Sequence, residues 1–314
     1  MMLYIATNVD VNFIMTKTLI SIVGPTAIGK TALSIKLAQH FNTEILSADS
    51  RQFFKEMNIG TAVPSTEEQN AAKHHFIQHI SIKDNYSVGD FERDAISKIE
   101  SIHENNDIAI MVGGSGLYVK AVTKGLDNFP NVDESIRTEL NKRLIDEGIE
   151  ALQKKLKSLD PKAYESIAID NPQRLIRALE ICIGSGQPYS SFLTNPEKSR
   201  PFKTLSIGLN AERSTIYDRI NQRVDIMVKN GLVEEAKTLL KHKDLNALNT
   251  VGYKELFNYF EGKWTLDFAI SEIKKNTRRF AKRQLTWFRK DETIKWFDYT
   301  TNINNITEYI EKNL

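Results

Sequence analysis

The sequence predicts an α/β protein: a parallel sheet flanked by helices, with a helical insertion and further helices after it. Three observations carry that reading. Residues 19–23 and 108–112 are short apolar runs, and each opens into a glycine-containing loop followed by a helical pattern. Between them, residues 43–47 read as another strand that ends in Ala48-Asp49-Ser50-Arg51-Gln52. Short runs of this kind belong to strands buried on both faces, and their alternation with helices gives parallel pairing. After Lys124 the period changes to that of helices.

The first strand enters Gly24-Pro25-Thr26-Ala27-Ile28-Gly29-Lys30-Thr31, which fits the G-x-x-x-x-G-K-[ST] phosphate loop. A helix over 32–41 follows at once, so the context is that of a P-loop NTPase-like core. Glycines let backbone N–H groups turn inward around phosphate oxygens, and the helix N-terminus adds partial positive charge. Lys30 is expected to reach a terminal phosphate, and the Thr31 hydroxyl to ligate Mg²⁺. Residues 90–103 read as a helix with Asp90 as N-cap and Ile96, Ile99 and Ile102 on one face. The loops 24–31, 49–52 and 113–116 all leave the carboxyl ends of strands. Ligands of parallel sheets bind there, so the three loops are expected to form one site.

Residues 133–158 are charged and helical in period, with Leu140, Leu144, Leu152 and Leu156 on one stripe. Asn171 suits a helix N-cap and Pro172 the first helical position, with Leu175, Leu179 and Cys182 on one face beyond them. Residues 204–209 resemble a strand returning to the sheet, and the chain from about Glu212 reads as helical. The expected organisation is an N-terminal extension over 1–17 that need not be ordered, a core of 18–122 and 199–314, and an insertion over 123–198. Hinges near 123–125 and 195–201 would make the insertion a lid. Met15 is a candidate start.

Of the 314 residues, 41% are apolar and 26% charged, ordinary values for a soluble globular protein. The single cysteine, Cys182, excludes an internal disulfide and points to a reducing compartment, hence the cytoplasm. Its apolar neighbours favour a buried thiol over a nucleophile. No run reaches membrane-spanning length. His74, His75 and His79 lack companion ligands in sequence, which favours polar packing over zinc.

Asp49 is either a turn cap or a carboxylate beside the phosphate loop, and position alone does not choose. Arg174 and Arg177 lie three apart on a helix, either as a solvated face or as a phosphate clamp. The sharpest basic feature is 274–290, which holds Lys274, Lys275, Arg278, Arg279, Lys282, Arg283, Arg289 and Lys290 with no acidic residue. At about 100° per residue the cations fill one half of a helix, and Ile273, Phe280, Trp287 and Phe288 the other. A one-signed stripe is the footprint of a polyanion, nucleic acid before membrane.

These segments together resemble the tRNA dimethylallyltransferase family, over nearly the whole chain after Met15. The matching residues are the phosphate loop, Ser47 through Gln52, Asn58-Ile59-Gly60-Thr61-Ala62, Tyr86-Ser87-Val88 and Val112 through Tyr118. Further matches are Gln173-Arg174, Arg177-Ala178-Leu179-Glu180, Val251-Gly252-Tyr253-Lys254-Glu255, and Asn276 through Phe288. Ile28 and Ser115 stand where the family often has Ser and Thr, and Phe53-Phe54 where Ile-Tyr is usual.

The resemblance implies transfer of a dimethylallyl group from dimethylallyl diphosphate to the exocyclic amine of the adenosine 3′ to the anticodon. Diphosphate would leave. Asp49 becomes the candidate general base, with Lys30 and Thr31 as the other catalytic residues. Gly24 through Thr31 would hold the diphosphate, with Arg219 and Arg223 as open candidates for a further contact. Contacts to tRNA are implied for Asp49, Ser50, Arg51, Gln52, Ser115, Arg137, Gln173, Arg174, Leu175, Ile176 and Arg177. They are also implied for Asn249, Thr250, Val251, Gly252, Tyr253, Lys254, Thr277, Arg278, Arg279, Phe280, Ala281, Lys282, Arg283 and Gln284. The target adenine would be flipped from the anticodon stem-loop. A monomer closing on one RNA is expected. The alternatives are a P-loop small-molecule kinase, a prenyltransferase of free adenine nucleotides, and a non-catalytic RNA-binding protein.

Overall fold

The computed structural model describes residues 17–194 and 198–314. The reading of residues 1–16 as an extension, and the hinge residues 195–197, lie outside the described residues. In chain order come β1 (Thr18–Val23), α1 (Lys30–His40), β2 (Ile45–Ser47), α2 (Thr66–Ala71), β3 (His74–His75), α3 (Val88–His103), β4 (Ile108–Val112) and α4 (Gly116–Lys124). Then follow α5 (Glu134–Glu147), α6 (Ile149–Leu159), α7 (Pro161–Ser166) and α8 (Pro172–Ser185). After β5 (Lys203–Asn210) come α9 (Arg213–Lys229), α10 (Leu232–Leu239), α11 (Tyr253–Phe260), α12 (Leu266–Phe288), β6 (Lys295–Asp298) and α13 (Ile303–Glu311). Two compact units divide at Thr123/Lys124 and Ser199/Arg200.

In the larger unit, six strands among the described residues form one parallel sheet in the order β3-β2-β4-β1-β5-β6. Strand β1 is buried along its whole length between β4 and β5. Its side chains alternate between two cores, as period-two geometry requires. Ile20 and Ile22 meet Leu37, Ile110 and Ile207 on one face; Leu19 and Val23 meet Phe91, Ile99 and Met111 on the other. Each fully buried aliphatic chain contributes roughly 1.5–3 kcal/mol. A third core, with Val224, Leu232, Tyr253, Leu256 and Ile273, joins α9, α10, α11 and α12.

Several local expectations change. Helix α3 starts earlier than expected: Ser87 is the N-cap, and Asp90 is the reciprocal member of its capping box. The chain beyond Glu212 is not all helical, because Lys295–Asp298 pairs with β5 at the sheet edge. Strand β3, only two residues long, extends the other edge.

In the smaller unit, Leu140, Leu152, Leu156, Leu175, Leu179 and Cys182 share one core. The 133–158 stretch is two helices rather than one, broken where Gly148 adopts φ 79°. Helix α8 begins as its sequence dictates: Asn171 Oδ1 accepts from the N–H groups of Gln173 and Arg174, and Pro172 occupies the first turn.

Candidate functional site

The phosphate loop is shaped by backbone that only some residues tolerate. Gly24 has φ 142°, and a Cβ there would lie 2.5 Å from the Leu209 carbonyl oxygen of β5. Gly29, at φ 108°, caps α1, so the helix opens at Lys30 and Thr31. Between them Ala27 is left-handed at φ 63°, an uncommon state for a residue with a Cβ. Arg219 of α9 holds that residue: its Nε donates to the Ala27 carbonyl at 2.7 Å while the guanidinium lies 5.2 Å from the centre of the Tyr299 ring. The Lys30 ammonium bends back to donate to the Pro25 carbonyl at 2.7 Å.

The loop faces a cleft of about 1290 Å³, lined also by Asp49 through Gln52, Gly113 through Tyr118, Arg219, Arg223 and side chains of α12. The three loops picked from sequence therefore line one cavity. Burial lowers the Lys30 pKa to about 8; the charge of Asp49 opposes the fall and that of Arg223 adds to it. Burial also lowers Arg223, against attraction from Asp49 and Glu68 and with repulsion from Arg219. Lys30, Asp49 and Arg223 thus share one electrostatic neighbourhood. Arg219, by contrast, is tied to the loop backbone.

Asp49 satisfies both readings of its position. Its Oδ1 accepts from the Arg51 N–H at 3.1 Å, the bond of a turn cap. Its carboxylate also lines the cleft beside the phosphate loop. Arg51 reaches away, donating to the Asn246 and Ala247 carbonyls. Gln52 lines the cleft, but its amide is engaged within the protein: Oε1 accepts from Ser47, and Nε2 donates to the Thr61 and Ala62 carbonyls. Ser50 and Ser115 approach each other at 3.2 Å through their hydroxyls. Gly113 lets the β4 loop pass the β2 loop, since a Cβ would sit 2.4 Å from the Ala48 oxygen.

The residues picked for RNA contact differ in their surroundings. Asn249, Thr250, Val251, Gly252, Lys254, Thr277, Phe280 and Arg283 line the cleft. Gln173 and Arg174 are exposed on α8 of the smaller unit. Tyr253, Leu175, Ile176 and Ala281 are corrections: each is at most 1% exposed, so none presents a side chain to RNA. Tyr253 instead donates to Glu235 Oε1 at 2.7 Å, and Glu235 also accepts from the N–H groups of Asn58, Ile59 and Gly60. Arg137 and Arg177 clasp the buried Glu180 at 2.8 and 3.0 Å, so both have a packing role inside their own unit. Gln284 is buried and bonded to the phosphate loop.

The basic stripe is thinner than it reads. Lys274 pairs with Asp225 at 2.6 Å and Lys275 with Glu272 at 2.8 Å. Arg278 donates to Asn221 Oδ1. The exposed cations of α12 and its end are Arg279, Lys282, Arg283, Arg289 and Lys290. Phe280 and Trp287 share the apolar half of the helix with Phe288 but not its burial: they are 38% and 41% exposed and line the cleft, while Phe288 is 3% exposed. Trp287 packs on Gly116, where a Cβ would lie 2.3 Å from the indole. Sequence reasoning also passed over Glu68, Asn258 and Trp264, which line the same cleft. No periodic or motif signal marks these three. The histidines pack locally: His75 meets Glu44 Oε2 at 2.6 Å, and His79 sits among Phe53, Phe76 and Tyr86.

Parallel sheet, phosphate loop and a cleft walled by a basic, aromatic helix define a P-loop α/β protein built to hold a phosphorylated small molecule beside a polyanion. Residues 52–291 match the family model described as IPP transferase. The chain belongs to the IPP transferase family. It is similar to the tRNA dimethylallyltransferase of Christiangramia forsetii, 64% identical over 300 residues that cover 96% of this chain and 99% of that protein. Among solved structures it resembles the full-length tRNA isopentenylpyrophosphate transferase of Bacillus halodurans. That likeness is 41% identical with TM-score 0.70, covering 94% of this chain and 96% of that one. It also resembles a eukaryotic dimethylallyltransferase acting on tRNA, at 26% identity and TM-score 0.78, covering 95% and 79% respectively.

Proposed function

We propose that this protein transfers the dimethylallyl group of dimethylallyl diphosphate to the exocyclic amine of the adenosine 3′-adjacent to the anticodon of tRNA, releasing diphosphate. The observation that carries the reading is that phosphate loop, Asp49 and the exposed face of α12 line a single cleft. Family membership and the names of the relatives favour tRNA over a free nucleotide or a kinase acceptor.

In the reaction the amine attacks the allylic carbon, the C–O bond to the diphosphate breaks, and the amine loses a proton. Negative charge grows on the leaving diphosphate. The N–H groups of residues 27–31, the Lys30 ammonium and the Arg223 guanidinium stabilise that charge. Asp49 takes the proton, which general-base catalysis values at roughly 10²–10⁴ in rate. Arg219 holds Ala27 and so keeps the loop in shape. The donor set fits Mg²⁺: the Thr31 hydroxyl opens α1 inside the cleft, and this ion is commonly held by few protein oxygens plus phosphates. When bound, the ion neutralises diphosphate charge.

The adenine must leave its stack to reach Asp49. Phe280 and Trp287 at the cleft are suited to stacking on unpaired bases, and Lys282, Arg283 and Arg289 to phosphates. Arg174, exposed on α8 of the smaller unit, would add a further RNA contact. No helix among the described residues is long and apolar enough to cross a membrane. A cytoplasmic monomer is the expected form.

The test is incubation with tRNA and labelled dimethylallyl diphosphate, followed by mass spectrometry of the tRNA nucleosides. A prenylated adenosine from the anticodon loop is expected. Label passing from γ-labelled ATP to a small acceptor, with none passing from the prenyl donor to tRNA, would overturn the reading.

A further inference from the structure

We propose that Gln284 is a positioning residue for the diphosphate site, a latch that ties the RNA-facing helix α12 to the phosphate loop. The inference rests on the reading above for the identity of the two ligands. Its neighbours Lys282, Arg283 and Trp287 are exposed, but Gln284 is only 5% exposed and points into the protein. Its Oε1 accepts from the Thr26 N–H at 2.9 Å, and its Nε2 donates to the Gly114 carbonyl at 3.0 Å. One carboxamide thus joins two of the three loops that line the cleft.

The fit is close. A Cβ on Gly114 would lie 2.1 Å from Nε2, so the β4 loop approaches the amide only because residue 114 is glycine. Only a side chain that donates and accepts at once makes both bonds; glutamate keeps one and methionine neither.

The position of the bond gives it a role. Thr26 precedes Ala27, the left-handed residue of the phosphate loop. Arg219 of α9 holds the Ala27 carbonyl, and Gln284 of α12 holds the Thr26 N–H. The strained segment is therefore gripped from outside at two adjacent residues, which is how an unfavourable backbone state persists. Because α12 also carries the exposed cations, a shift of α12 on binding RNA reaches the diphosphate site through Gln284. Binding coupling of this kind is reciprocal. Gln284 borders the cleft, but both of its amide atoms are engaged within the protein.

The test uses Gln284→Ala and Gln284→Glu in the full-length protein. Three quantities are read: KM for dimethylallyl diphosphate, the dissociation constant of inorganic diphosphate, and the dissociation constant of tRNA. For Gln284→Ala the first two should rise together by about tenfold, with tRNA affinity within about twofold of wild type. Gln284→Glu, which keeps the bond to Thr26, should lie between. Gly114→Ala should copy Gln284→Ala, and the double variant should be no worse than either single one. Should Gln284→Ala fail to fold, Gln284→Met fills similar volume without either bond and carries the same readouts. Loss of tRNA affinity with diphosphate binding unchanged would make Gln284 an RNA contact and overturn the proposal. Equal loss of both, or of neither, would also overturn it. Diphosphate binding is measured without prenyl transfer, so failure of the reaction assignment stays distinguishable from failure of the latch.

Discussion

Raising the pH from about 7 to about 9 should strip the diphosphate site of its lysine charge. Burial is the main reason that Lys30 titrates at about 8 instead of 10.5, with Asp49 opposing the change and Arg223 adding to it. The gap corresponds to about 3 kcal/mol by which the fold disfavours the ammonium. With that value, roughly nine-tenths of the molecules carry the charge at pH 7 and roughly one-tenth at pH 9. If the charged form grips the leaving diphosphate, kcat/KM for dimethylallyl diphosphate falls about tenfold across the interval. The ligand-free protein should respond in the opposite sense. Between about pH 8 and 10.5 the unfolded chain binds the proton that the folded chain has released, so stability rises with pH. The assay is steady-state kinetics at saturating tRNA and constant ionic strength, beside thermal unfolding without ligand. Lys30→Arg stays charged throughout, so its lower rate should be level over this range. A wild-type profile level to about pH 9.5, or an equal fall in Lys30→Arg, would refute the reasoning.

Asp49→Ala should slow single-turnover prenyl transfer by about 10²-fold or more while tRNA affinity stays near wild type. Near-normal turnover would remove Asp49 from the base role. Trp287→Ala should weaken tRNA binding by about 1–3 kcal/mol with little loss of stability, whereas Phe288→Ala should cost about 3–5 kcal/mol in denaturant unfolding. The reverse pattern would return Trp287 to the core. Lys282→Gln and Arg289→Gln should each flatten the log–log salt slope of tRNA binding by roughly 0.7–0.9. Arg278→Gln should change it less, since that guanidinium is bonded to Asn221. Wild-type slopes in both exposed variants would send the RNA to another face.

The centre of the sheet and the phosphate loop were legible because they depend on local chemistry: buried β-branched runs, glycines at forced dihedrals and a helix that starts at once. The edges were not. Strand β3 is two residues long, and Lys295–Asp298 is one short alternation that gains meaning only beside β5. Ser87 and Asp90 bond each other's backbone, so either reads as the cap until both bonds are seen. The helical period located an apolar stripe on α12, but it cannot tell a core wall from a cleft wall. Phe280 and Trp287 look like Phe288 for that reason. The resemblance implies an RNA contact for Gln284 as one residue of a matching run, and its bonded partners, Thr26 and Gly114, lie far away in sequence.

The place of β1 in the sheet also bears on how the protein is made. Strand β4 is complete at Val112, but β5, the other neighbour of β1, ends at Asn210. Ribosomes add about 5–20 residues per second, so about 5–20 s of synthesis separates the two. Through that interval β1, which is buried along its whole length in the finished sheet, keeps one row of backbone N–H and C=O groups open, ready to pair with a stranger. The smaller unit emerges during the same interval. The length of this insertion is thus also a delay, during which the nascent chain depends on shielding of the strand that its phosphate loop follows.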